Sequence, residues 1–109
     1  MKKDFFIYFG DIVDAITHIE EYTANATQEV LENDDYMQDA VIRRFEIIGE
    51  AASRISSSFK KNNPSVHWRL MKDMRNKLIH EYFGISLVTV YTTSKLHLPI
   101  LKEQLEKIV

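Results

Sequence analysis

Val41-Ile42-Arg43-Arg44-Phe45-Glu46-Ile47-Ile48-Gly49-Glu50-Ala51-Ala52-Ser53-Arg54-Ile55 carries Val41, Phe45, Ile48, Ala52 and Ile55 at steps of four and three. That is the period of one helix face, so the segment reads as an amphipathic helix. Gly49 and the pair Ala51–Ala52 keep it thin, which lets a neighbouring helix approach closely. Just upstream, Asn33, Asp34 and Asp35 are candidate N-caps. Asn25 to Asn33 is less periodic and reads as the first turn. Before it, Phe5, Phe9, Ile12, Ile16 and Ile19 repeat the same spacing, with Asp11, Asp14, Glu20 and Glu21 off the stripe. Downstream, the pattern fades from Ser56-Ser57-Ser58, and Lys60 to Asn63 reads as a polar loop.

Two further helices follow. Asn63-Pro64 is a start signal, a capping side chain followed by a proline suited to a first turn. It predicts a third helix from about Ser65 to about Phe83, with Trp68, Met71, Met74 and Leu78 as core contacts and Gly84 as its stop. Ser86 can cap a last helix whose stripe is Leu87, Tyr91, Ser94, Leu98, Leu101, Leu105 and Ile108. Pro99 cannot donate to the carbonyl of Lys95 and must kink that helix or lie at a bend. No strand pattern or internal repeat competes. The expected fold is a single all-α domain over residues 1–109, four main helices packed up and down with room for a fifth short one.

Composition narrows the chemistry. The 109 residues are 45% hydrophobic, with three glycines and two prolines, enough apolar matter for a core and few turns. Without cysteine, thiolate chemistry and cysteine-type zinc sites are excluded. No His/Asp/Glu group has metal-ligand spacing, so no metal or other cofactor is expected. The apolar N-terminal stretch is too short for a membrane span and unlike a signal peptide, which leads to the expectation of a soluble cytoplasmic protein. The net charge of −2 is unevenly spread: residues 60–80 sum to +5 and the rest to −7. A basic run is often only a solvated face, but this one coincides with the chain's most reactive motif and favours a phosphate-bearing partner.

That motif is Arg75-Asn76-Lys77-Leu78-Ile79-His80-Glu81-Tyr82. Arg75 can fork onto a phosphate, and His80 can exchange protons near neutral pH. At about 100° per residue, Arg75 and Tyr82 share a helix face, while His80 lies roughly 140° around from Arg75. The pair therefore needs a groove, a loosened helix end or a second subunit. Simpler roles compete with these: an ion pair from Arg75 to Glu46 or Glu50, a histidine serving the helix dipole, a tyrosine packing beside Phe83.

The composite spacing Arg-x4-His-x-Tyr, with Trp68 and Met74 before it, Phe83-Gly84-Ile85 after it and Ile47-Ile48-Gly49-Glu50-Ala51-Ala52 in the preceding helix, resembles the HEPN superfamily and specifically its HepT-type toxins. Ser86 stands where relatives often carry Asp, and both residue types cap helices. The resemblance spans essentially the whole chain. It implies a HEPN-like helical bundle that forms a homodimer and acts as a metal-independent ribonuclease toxin in a type VII-like toxin–antitoxin system. By the same resemblance Arg75 and His80 are the catalytic pair, and Asn76 supports them. Tyr82 is the implied site at which an MntA-type nucleotidyltransferase antitoxin attaches AMP. A non-catalytic module that binds a nucleotide or a nucleotidyltransferase is the alternative, and a purely structural dimerising bundle is a third reading.

Overall fold

The computed structural model describes the backbone of residues 2–80 and 86–108, and the side chains of residues 5–76 and 86–108. Among these residues the secondary structure is wholly helical: α1 (Lys2–Thr23), α2 (Gln28–Glu32), α3 (Asp35–Ser53), α4 (Ser57–Asn62), α5 (Trp68–His80), α6 (Leu87–Thr92), a π-helical turn (Thr93–His97) and α7 (Leu98–Glu106). Helices α1, α3, α5 and the α6–π–α7 rod are the four expected main elements. Two short helices join them rather than one. Thr27 caps α2 by accepting from the Val30 N–H at 3.2 Å. Ser56 caps α4 through the Phe59 N–H at 3.2 Å, and Lys60 and Lys61 sit in its last turn, where cations suit the helix dipole. Both segments are too short to show a period, which is why they read as turn and loop. Asp34 and Ser86 cap α3 and α6, as their sequences suggest.

The core lies between α1, α3, α5 and the C-terminal rod. Helix α1 packs along α3, α3 along α5, and α7 with the π turn against α1. Ile12, Ile16 and Ile19 of α1, Val41 and Ile48 of α3, Met71 of α5, and Leu98 and Leu105 of α7 have no exposed surface. Phe5 stacks on Phe59 with ring centres 4.1 Å apart, and Phe59 meets Trp68 edge-on at 6.3 Å. This aromatic run ties the start of α1 to α4 and α5.

The structure corrects the start of the third helix. Helix α5 begins at Trp68, because Asn63 ends α4 rather than opening α5. The Asn63 side-chain amide donates to the Phe59 carbonyl, and the Asn63 carbonyl accepts from the Trp68 indole at 2.9 Å. Val66 is drawn into the core, and the His67 N–H donates to Oε1 of Gln104 on α7 at 3.0 Å. The predicted end near Phe83, the stop at Gly84 and the Leu78 side chain lie outside the described residues. Pro99 is accommodated as a widened turn. The Leu98 N–H bonds five residues back to the Thr93 carbonyl, which sets Pro99 in the first turn of α7, where its missing N–H costs nothing. Ser94, the polar interruption of the last stripe, is buried and donates to the Val90 carbonyl at 2.8 Å. No described helix is long and apolar enough to cross a membrane.

Candidate functional site

Helices α3 and α5 touch at Gly49 and Arg75. A Cβ on Gly49 would stand 2.4 Å from the Arg75 Cβ and 3.1 Å from its Cα, so only glycine permits this approach. The Arg75 stem is thereby pressed against α3, and its Nε is buried with no hydrogen-bond partner among the described residues. An unpaired buried polar group is costly, and a guanidinium nitrogen in that state is prepared for an incoming acceptor. The competing ion pair does not form among the described residues: Glu46 instead approaches Arg43 on its own helix at 3.6 Å. Glu50 lines a separate surface groove with Tyr8 and Asp11 of α1.

Beside Arg75 a pocket of 240 Å³ opens between α3, α4 and α5. Gly49, Lys60, Trp68, Lys72, Arg75 and Asn76 contribute to its wall, which among the described residues holds three cations and no carboxylate. Trp68, Lys72, Arg75 and Asn76 fall at i, i+4, i+7 and i+8 of α5, one helix face, whereas Met71 and Met74 face the core. The Lys60 ammonium is held below its ordinary pKa of 10.5, first by burial and then by the nearby charge of Lys72. Protonating Lys60 therefore costs more in the folded chain than in the unfolded one. Since the unfolded state binds more protons in this range, stability rises with pH there. The penalty is full below the folded pKa and vanishes as pH rises to the ordinary value. Lys60→Gln removes this penalty together with the favourable charge at the end of α4, two opposed contributions of about 0.5 kcal/mol or less for a partly exposed, screened group. Tm at neutral pH is therefore expected to stay within about 2–3 °C of the unmodified protein. Thermal melts of both proteins at pH 7 check this, and a Tm lowered by about 5 °C or more would give Lys60 a structural role.

Of the residues singled out by sequence, Arg75 and Asn76 are brought together on the pocket wall. His80 is the last described residue of α5, and the helical register sets it about 140° around from residue 75. Its side chain lies outside the described residues, and so does Tyr82 altogether. Lys60 and Lys72 entered the sequence reading only as part of a basic run, and Trp68 as a core contact and a member of the composite motif. The signal for the two lysines is the concentration of cations between residues 60 and 80. Among the described residues no group of three His, Asp or Glu side chains could hold a metal ion.

Residues 12–108 match the family model described as ribonuclease HepT-like. A Thermococcus cleftensis protein named "Probable ribonuclease HepT" is 44% identical over 108 residues, covering 99% of this chain and 98% of its own. A Methanocaldococcus jannaschii protein named "Gamma-glutamylcyclotransferase and putative RNase" is 39% identical over all 109 residues. The chain spans only 49% of that larger relative's length. Another protein of the same organism, named a "Putative RNase", is 34% identical over 99% of this chain and 89% of its own. No solved structure gives a significant match.

Proposed function

We propose that this chain, which belongs to the ribonuclease HepT-like family, cleaves RNA without a metal, using Arg75 and His80. The observation that carries the reading is the buried, unpartnered Nε of Arg75 at a pocket walled by cations. RNA brings its own nucleophile, so the protein has only to move protons and stabilise charge at phosphorus. A base takes the proton of the 2′-hydroxyl, the 2′-oxygen bonds to phosphorus, and the bond to the 5′-oxygen breaks as that oxygen gains a proton from an acid. His80 fills the base or acid role. Arg75 holds the phosphate as its charge builds, with Asn76 as a polar neighbour. A homodimer supplies two such histidines across one groove, which accommodates the 140° between residues 75 and 80.

In this reading the chain is the toxin of a toxin–antitoxin pair, and a nucleotidyltransferase antitoxin attaches AMP to Tyr82. Residues seven apart share a helix face, so the added phosphodiester would stand beside Arg75 and block it. Tyr82→Phe is expected to gain no AMP mass after incubation with the partner and ATP, while cleavage is retained in part. A mass gain on the Phe variant refutes Tyr82 as the acceptor.

Cleavage itself is tested with purified protein and RNA in excess EDTA. The expected products end in a 2′,3′-cyclic phosphate and a 5′-hydroxyl. RNA left intact by the unmodified protein at high enzyme concentration would sink the nuclease reading.

A further inference from the structure

We propose that Lys60 and Lys72 form a subsite for a second phosphate of the RNA strand, next to the one held by Arg75, and that this subsite fixes the strand's position during cutting. The proposal rests on the ribonuclease reading but adds a place on the protein that the motif does not contain. Lys60 reaches the pocket from α4, twelve residues before Lys72 on α5, so the fold has converged two cations that the sequence separates. Among the described residues no acidic side chain lines the pocket to neutralise them. The nearest acid in sequence, Asp73, lies against Arg69 at 3.9 Å on the exposed side of α5. Lys60 is held below its ordinary pKa first by burial and second by the charge of Lys72, so the two ammonium groups feel each other across the pocket. Half-buried Lys60 and exposed Lys72 open onto the same pocket, where one phosphate can accept hydrogen bonds from both.

Size and surroundings favour a nucleotide unit of a strand over a bare ion. The 240 Å³ volume is several times the share of one water, about 30 Å³, and takes a phosphate with part of its sugar. Trp68, half-buried and anchored by its indole to the Asn63 carbonyl, gives the wall an aromatic surface on which a base can stack. The pocket is continuous with Arg75 and Asn76, so a strand entering it passes the proposed cutting position.

The test uses the full chain and a short 2′-O-methyl RNA, which binds but lacks the nucleophile. Affinity is measured across a salt series for the unmodified protein and for Lys60→Gln/Lys72→Gln. Loss of the subsite is expected to weaken binding about 10-fold or more at low salt. It is also expected to flatten the log–log salt dependence by about 0.7 for the lost phosphate contact. Tm is measured on the same samples. Because the opposed contributions of Lys60 nearly cancel, the weaker binding is expected with Tm within about 2–3 °C of the unmodified protein, which separates it from misfolding. In cleavage assays the deficit appears mainly in KM.

The two readings fail separately. Cleavage that depends on Arg75 and His80 but is indifferent to both lysines, with an unchanged salt slope, overturns the subsite and leaves the nuclease standing. Lysine-dependent binding of RNA that is never cut leaves the subsite and overturns the nuclease. A protein that neither binds nor cuts RNA overturns both. AMP alone bound as tightly as the oligomer, through the same lysines, replaces the strand subsite with a mononucleotide site.

Discussion

Gly49→Ala is expected to destabilise the protein by about 1–2 kcal/mol, lowering Tm by roughly 5–10 °C, whereas Gly10→Ala is expected to stabilise it. Both glycines lie inside α-helices, and neither has a positive φ, so each substitution gains helix propensity of about 0.5–1 kcal/mol. They differ in what the new methyl meets. At Gly10 no atom lies within 4 Å. At Gly49 the methyl would overlap the Arg75 Cβ at 2.4 Å and approach its Cα at 3.1 Å. The second contact is backbone and cannot swing aside, so α5 must move away from α3. Overpacking of that kind costs about 1–3 kcal/mol, which exceeds the propensity gain. The displacement also carries Arg75 with it, and a shift of about 1 Å at a reacting group is enough for a 10²-fold loss of rate. Thermal unfolding of the two variants side by side is the measurement. A stabilised Gly49→Ala would mean that α3 and α5 are not in contact at Arg75.

This contact shows where the sequence was informative and where it was not. The apolar stripes determine the all-α class because burial of one face of each helix is a local property. Most of the described residues they name are buried, while Phe9, Trp68, Leu87, Tyr91 and Ile108 are partly so and the buried Val90 lies off its stripe. The smallness of Gly49, Ala51 and Ala52 points to a close neighbour. What faces Gly49 is a tertiary fact, decided by the offset of α3 against α5. The start of α5 misleads for a similar reason. Asn63-Pro64 is a sound local start signal, but the Trp68 indole takes the Asn63 carbonyl, Val66 enters the core, and Gln104 meets the His67 N–H from a distant helix. One local hydrogen bond and two tertiary contacts outweigh one capping preference. Pro99 is a milder case: the sequence requires a defect in the last helix, and only the structure shows it as a π turn. At the site, Arg75 and Asn76 are legible from the motif, while the pocket's two lysines are separated by a turn and the first turn of α5. Their convergence depends on α4, a helix too short to announce itself.

Arg75→Lys should reduce RNA cleavage by about 10²–10³-fold while leaving Tm equal or higher. The Lys side chain keeps the Cβ and Cγ that pack against Gly49, so α3 and α5 stay together. It loses the planar fork that grips a phosphate through two donors. It also removes the buried Nε that has no partner, a group whose isolation costs about 1–3 kcal/mol. Lower activity with undiminished stability is the mark of a residue kept for its ligand rather than for the fold. Arg75→Ala loses both packing and charge and so separates the two effects less cleanly. His80→Ala is expected to lose about 10²–10⁴-fold by removal of proton transfer, with a flattened pH–rate profile near neutrality. If two subunits build one groove, mixing Arg75→Ala with His80→Ala chains restores part of the activity, because one composite site then holds an intact Arg75 and an intact His80. Mixed chains no more active than either parent would place the whole site within one subunit. Unimpaired cleavage by Arg75→Lys would reduce the residue to a generic positive charge and remove the role assigned to its buried nitrogen.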